Sequence, residues 1–254
     1  MRIYLFGMRN CNKDKKSKRG IIIKIIGAAV IAAALIAGWT LFFACQPPID
    51  RLGHLVTELR DNIFVGESSS FSVQAISGRR EDPFLMDGNV GTTRDFTLFT
   101  LTPKGESSDN LMAQTEYSVK VLMDGTSREG MFVPHPFSNT LSVEFDVRAI
   151  NPEITVTILR AKEVVDSFNI YSVVSEQMIG YERALEIAEK KLRNSIEVFK
   201  VNGELNCEIY IRLIENQVDG SGGHHWYVAF VGSNQTIFAV LIDSISMEVV
   251  AIRN

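Results

Sequence analysis

Four histidines are the first residues to consider for chemistry, because an imidazole can serve as a metal ligand or as a general base. They are His54, His135, His224 and His225. His224 and His225 are adjacent at the start of a predicted strand, whose pleat sends neighbouring side chains to opposite faces, so the two cannot chelate one ion. The spacings typical of zinc peptidases, serine hydrolases and phosphate-binding loops do not occur in the sequence. We therefore predict a protein that is not an enzyme, with no catalytic residue, no cofactor and no metal site.

The three cysteines indicate no chemistry beyond attachment of the chain to a membrane. Cys11 lies in the N-terminal tail, Cys45 ends an apolar run, and Cys207 is alone in the remainder of the chain. A disulfide framework or a four-cysteine zinc site within that remainder is therefore excluded. Cys207 falls in the alternating sequence LNCEIYIRL, which is typical of a buried small residue on the inner face of a strand.

The densest group of charged residues lies between two predicted strands, in SGRREDPFLMDGNVGTTR at 77–94. Long connections without secondary structure are uncommon in compact domains, and ordered ones are often functional. We interpret this stretch either as a solvated loop whose charges pair with one another or as a recognition loop. The recognition residues would be Arg79, Arg80, Glu81, Asp82 and Asp87.

The histidines, cysteines and charged residues described above must be placed relative to a membrane. Residues 25–45 form an uninterrupted apolar run without a charged side chain. As a helix the run would be about 31 Å long, roughly the thickness of the bilayer hydrocarbon. Residues 1–24 carry a net charge of +7 and the rest of the chain −11. The positive-inside rule then predicts a single-pass transmembrane helix, a cytoplasmic N-terminal tail and an extracellular C-terminal body at the cell membrane. The acidic body argues against nucleic-acid binding.

An alternative anchor is lipidation of Cys45. The sequence LFFAC-Q resembles the lipobox of bacterial lipoproteins, with Ala44 before the cysteine, although Phe42 and Phe43 depart from that pattern. A retained span and a lipoprotein would both leave the body outside the cytoplasm. Pro47-Pro48 would separate either anchor from it.

The residues from 49 to 174 predict a β-sandwich, which could be immunoglobulin-like, because short alternating runs are separated by turn residues. The clearest run is LSVEFDVRA at 141–149. Further strands are predicted at 71–75, 95–101, 116–123, 153–160 and 164–174. Asp124-Gly125 and Asn151-Pro152 mark turns between them.

The residues from 175 to 254 predict an α+β unit. An apolar stripe from Tyr181 to Phe199 recurs at helical spacing, with Gly180 as the N-cap and Asn202-Gly203 ending the helix. Four strands are predicted to follow as an antiparallel meander, at 207–214, 225–231, 236–242 and 247–252. The whole chain is thus predicted to be mainly β with an α+β part.

This last unit resembles the PepSY domain. The resemblance lies in ALEIAEKKL of the helix, WYVAFV of the middle strand and the ending VLIDSISMEVVAI, where Ser246 and Met247 replace the usual Thr-Gly. It implies a binding or inhibitory module, since PepSY domains occur in propeptides of secreted metallopeptidases and in envelope proteins. The whole chain also resembles membrane-anchored surface proteins of clostridia and other Gram-positive bacteria, which implies a bacterial cell envelope location.

Two classes of function follow from these features. The first is a membrane-anchored extracytoplasmic binding or regulatory protein that contacts the bilayer through 25–45 and a protein or peptide partner outside the cytoplasm, such as an envelope or secreted peptidase. The second is a cell-envelope enzyme or an accessory subunit of one. The sequence leaves the oligomeric state open.

Overall fold

The computed structural model describes residues 51–82, 92–105, 117–216 and 222–254, which are mainly β with one α-helix. The mainly β prediction is confirmed. Within these ranges no helix has the length and apolarity to cross a bilayer. Residues 25–45, where the span is predicted, lie outside the described ranges.

The helix, α1, covers Tyr181–Ile196, with Gly180 as its N-cap as predicted. Short 3-10 turns at Gly53–Leu55 and Glu197–Phe199 flank other elements. The strands are β1 (Val56–Glu67), β2 (Phe71–Glu81), β3 (Thr93–Pro103), β4 (Tyr117–Met123), β5 (Thr126–Met131), β6 (Val133–Pro134), β7 (Leu141–Phe145), β8 (Glu153–Arg160), β9 (Glu163–Ser172), β10 (Lys200–Val201), β11 (Glu204–Leu205), β12 (Glu208–Glu215), β13 (His224–Val231), β14 (Ile237–Asp243) and β15 (Val249–Arg253).

β1 is the central strand of the molecule. Its first half pairs parallel with β12, its length pairs antiparallel with β2, and its last residues pair with β9. One sheet therefore runs in the order β15-β14-β13-β12-β1-β2-β3-β7-β6, and a branch leaves β1 through β9, β8, β4 and β5. The sequence did not predict β1, because register shifts after Val56 and after Arg60 break the alternation that identifies a strand.

One hydrophobic core is enclosed by the branch and by the sheet strands β1, β2, β3 and β7. Phe64, Phe99 and Ile170 are among its fully buried side chains. The sequence predicted a sandwich here; in the structure β1 connects the sheet strands that begin with β2 to the branch that begins with β9, since both strands pair with it. Buried Ser77 and Thr97 hydrogen-bond to each other at 3.1 Å, and the Ala149 amide donates to Ser77 at 2.8 Å.

A second core lies between α1 and the β12–β15 meander. Leu185 and Leu192 of the helix pack in the same cluster as Ile211 and Trp226. Trp226 also donates its indole N–H to the Ile179 carbonyl at 2.9 Å, which fixes the segment that leads into the helix. The boundary predicted at 174–175 falls between β9 and α1, and β1 contributes Leu59 to this core and Phe64 to the other.

Three local predictions need correction. The charged stretch at 77–94 begins and ends within strands, because β2 continues to Glu81 and β3 begins at Thr93, and residues 83–91 lie outside the described ranges. β7 ends at Phe145 and not at 149. The helix ends at Ile196, and Asn202-Gly203 instead forms the two-residue turn between β10 and β11.

Candidate functional site

Four arginines define the principal polar surface, which we call the arginine face: Arg60, Arg80, Arg94 and Arg212. Residues paired across neighbouring strands project to the same side of a sheet. In the register of the strands, Arg60 lies opposite Arg212, and Arg80 lies opposite Arg94. Glu58, which pairs with Arg80, links the two pairs across β1. Ile209 and Ile211 of β12 pack in the core between α1 and the β12–β15 meander. Tyr210 and Arg212 alternate with them and therefore lie on the side of the sheet away from α1.

Arg94 is a hub for three carboxylates. Its guanidinium lies 2.6 Å from Asp82 and 3.1 Å from Glu144, and it also contacts Asp146. Arg80 shares Glu144 at 2.6 Å. These side chains are all partly exposed, so the network is a fixed charged surface and not a buried cluster.

Aromatic rings lie under the arginines at two points. The Arg80 guanidinium lies 4.7 Å from the centroid of buried Phe96, and the Arg212 guanidinium lies 5.1 Å from the centroid of Tyr210. Such stacking holds a guanidinium plane in a defined orientation. The Tyr210 hydroxyl donates to Glu208 at 2.7 Å, and burial together with this bond raises the pKa of Tyr210 to about 12.

Glu58 is a buried carboxylate that two arginines neutralise. Arg212 Nε donates to its Oε2 at 3.0 Å, and Arg60 pairs with Oε1. Burial raises the pKa of Glu58, but the hydrogen bonds and charges of Arg60 and Arg212 outweigh burial and leave the pKa below its usual value. The side chain is therefore ionised at neutral pH and unsuited to act as a general acid.

The structure separates the residues predicted to form a recognition loop. Arg79, Arg80 and Glu81 lie within β2 and pair with β3, because the hairpin extends through them. Arg79 projects to the side opposite Arg80, and Asp82 follows the strand and pairs with Arg94. Asp87 and Cys45 lie outside the described residues.

A second acid, Asp61, lies where β1 departs from regular pairing with β2. It forms an ion pair with Arg148. Burial raises the pKa of Asp61 and outweighs the opposing effects of Arg148 and the more distant Arg79. Asp61 thus has one hydrogen-bonding arginine, and Glu58 has two.

His224 and His225 lie at one end of the β12–β13 pair, and Cys207 lies at the other. His225 is buried with its Nε2 atom 3.9 Å from Asp243, while its strand neighbour His224 is half-buried. Burial raises the pKa of the Cys207 thiol to about 11, so it is a protonated, inert thiol at neutral pH. Among the described residues, no three histidine, cysteine or acidic side chains are grouped to hold a metal ion.

The sequence did not reveal the partners of the arginine face. Glu144 and Asp146 alternate with apolar residues in the run predicted at 141–149, and this pattern marked them only as solvent-facing. Arg60 and Arg212 are 152 positions apart in sequence, and only the β1–β12 pairing brings them together. Arginines and acidic residues at outward-facing positions of several predicted strands are the signal that could have suggested this surface.

No family model matches the chain, and neither the curated proteins nor the solved structures give a significant match.

Proposed function

We propose that the chain is a membrane-anchored, extracytoplasmic binding or regulatory protein without catalytic activity. The body would be carried on the span predicted at 25–45 and would combine a sandwich-like part with a PepSY-like part. Its proposed partner is a protein or peptide outside the cytoplasm, of which an envelope or secreted peptidase is the candidate that the PepSY resemblance suggests.

The arginine face is the observation that carries this proposal. Arginine and tyrosine are enriched at protein interfaces and among the residues that dominate binding energy. Tyr227 pairs with Arg212, and Tyr210 lies on the same face. A surface whose guanidinium groups are already oriented by carboxylates and rings loses little side-chain entropy when a partner binds.

The arginine face also disfavours the alternative of an envelope enzyme. Its acids are each committed to an arginine, and the low pKa of Glu58 keeps this carboxylate charged. Hydrolysis would need a carboxyl or imidazole that can exchange a proton near neutral pH. An accessory subunit of an enzyme remains compatible with the binding role.

Capture from membranes tests the proposal. The full chain, tagged at its C-terminus and solubilised in detergent, should retain a specific envelope or secreted protein. Tyr210→Ser, which removes a ring from the arginine face, should reduce that capture several-fold. Tyr171→Ser is the matched control, because Tyr171 is an exposed tyrosine on β9, and it should leave capture unchanged.

The opposite outcome would favour the alternative. If the chain captures nothing and the purified protein hydrolyses a cell-wall or peptide substrate, then the enzyme replaces the binding protein. Equal losses in the Tyr210 and Tyr171 variants would show that the arginine face is not the contact surface.

A further inference from the structure

The β15 edge is the open end of the large sheet. β15 is last in the strand order and pairs only with β14 among the described strands. The opposite end, β6, has two residues including Pro134. The branch ends at β5, which packs closely on β7, because a Cβ at Gly130 would meet Val143 and Phe145. Among the described strands, β15 is therefore the sheet end whose unpaired edge is longer than that of β6 and lacks the close packing of β5.

The side chains of this edge are open to solvent. Val250 is 47% exposed and Ile252 is 45% exposed, and both are apolar. Glu248 and Arg253, at the two ends of the edge, are also exposed. Neither forms an ion pair within the described part of the chain. An exposed strand edge with apolar side chains can pair with another strand unless it is blocked.

A bulge gives this edge a self-complementary order. Ala251 pairs with Leu241 and Val249 pairs with Ile242, so Val250 is the extra residue. Counted from the C-terminal end, the edge then presents five successive pairing positions, or rows, to another strand. They are Arg253, Ile252, Ala251, Val249 with Val250, and Glu248. Ala251 is the middle row, with one charge of each sign two rows away on either side.

We propose that β15 pairs antiparallel with β15 of a second copy of this chain, about a two-fold axis through Ala251. Arg253 then faces Glu248 of the second copy, and the same ion pair forms again on the other side of the axis. Ile252 faces Val249 and Val250, which buries the exposed apolar side chains. Without the bulge, Arg253 would face Val249, so the extra residue sets the complementary register.

This arrangement goes beyond the proposed function and does not depend on it. The two-fold axis stands perpendicular to the sheet, so both α1 helices lie on the same side of one continuous sheet. Two short strands bury less surface than a standard stable interface, and we therefore expect dissociation in the micromolar range.

Charge reversal tests the register. The full chain in detergent should show a concentration-dependent monomer–dimer equilibrium by analytical ultracentrifugation. Glu248→Arg alone, or Arg253→Glu alone, places like charges opposite each other twice and should weaken the dimer about tenfold or more. The double variant Glu248→Arg/Arg253→Glu should restore it. Glu129→Arg, an exposed acid on β5, should have no effect.

Crosslinking tests the axis independently. Ala251→Cys places two thiols across an antiparallel pair at disulfide distance, and mild oxidation should give a dimer above the background of the parent chain. Lys190→Cys on the exposed side of α1 should not. A monomer at every concentration, equal crosslinking at both positions, or a double variant that fails to restore the dimer would each overturn the proposal.

Discussion

Glu58 and Asp61 lie three residues apart on β1, yet their pKa values shift in opposite directions. Both lose hydration on folding, which raises the pKa of a carboxyl. Glu58 receives hydrogen bonds from Arg60 and Arg212, and these more than compensate. Asp61 is paired with Arg148 alone, and burial prevails. The register of β1 against β12 decides the difference, because it brings Arg212 to Glu58.

Replacing Glu58 by Gln should destabilise the protein at neutral pH by about 1 to 2 kcal/mol, because Arg60 and Arg212 lose their shared counter-charge while both stay partly hydrated. The folded pKa of Glu58 lies below its ordinary value of 4.5. Its stabilising contribution is therefore complete above that value and is lost as the pH falls through the folded pKa. Urea unfolding at neutral and at acidic pH measures this, and the gap between wild type and variant should close in acid.

The exposed Glu129→Gln is the control and should unfold like the wild type at both pH values. An equal gap for Glu58→Gln in neutral and acidic conditions would contradict the assigned role of the carboxylate charge.

At the scale of elements, three hairpins among the described strands use two-residue turns whose central residues both have positive φ. Asp124-Gly125 and Asn202-Gly203 have the side chains that such turns favour. The third turn, between β8 and β9, holds Ala161 (φ 52°) and Lys162 (φ 71°) instead. Both residues therefore adopt a left-handed backbone that costs L-residues energy.

The variant Ala161→Asn/Lys162→Gly should stabilise the protein by about 1 kcal/mol, since it removes that cost. The reciprocal change, Asn202→Ala/Gly203→Lys, should destabilise it by a similar amount. Urea midpoints of the two variants and the wild type are the measurement. Midpoints that shift in the same direction would refute the explanation from turn conformation.

Alternation of apolar and polar residues was enough to predict β2, β3, β4, β8 and the meander strands, although their ends differ from the predicted ones by up to six residues, at β2. It failed for β1, where bulges change which face successive residues occupy. It also failed for β5, whose sequence TSREGM has no apolar pattern. That strand is held by pairing with β4, and a sequence does not state its partner.

At the scale of the whole molecule, the asymmetry of charge makes a topological prediction. In intact cells, external protease should digest the body after residue 45 and leave a tag at Met1 protected. Replacing Lys15, Lys16, Lys18 and Arg19 by Gln should invert part of the population, because basic residues near a span set its orientation. The mass of the mature N-terminus provides the second measurement. A chain that begins at Met1 fits a retained span, and a chain that begins at a lipidated Cys45 would show a lipoprotein instead of a retained span.

The sequence by itself determined that the described part of this protein is mainly β, that α1 begins after Gly180, and that Cys207, one residue before β12, is buried. These are properties of local periodicity and of turn residues, which neighbouring positions report directly. Only the tertiary structure decided that β1 joins both cores and that Arg60 and Arg212 share Glu58. Pairing between strands far apart in the chain depends on which edges meet after folding, and a linear sequence carries no direct record of that choice.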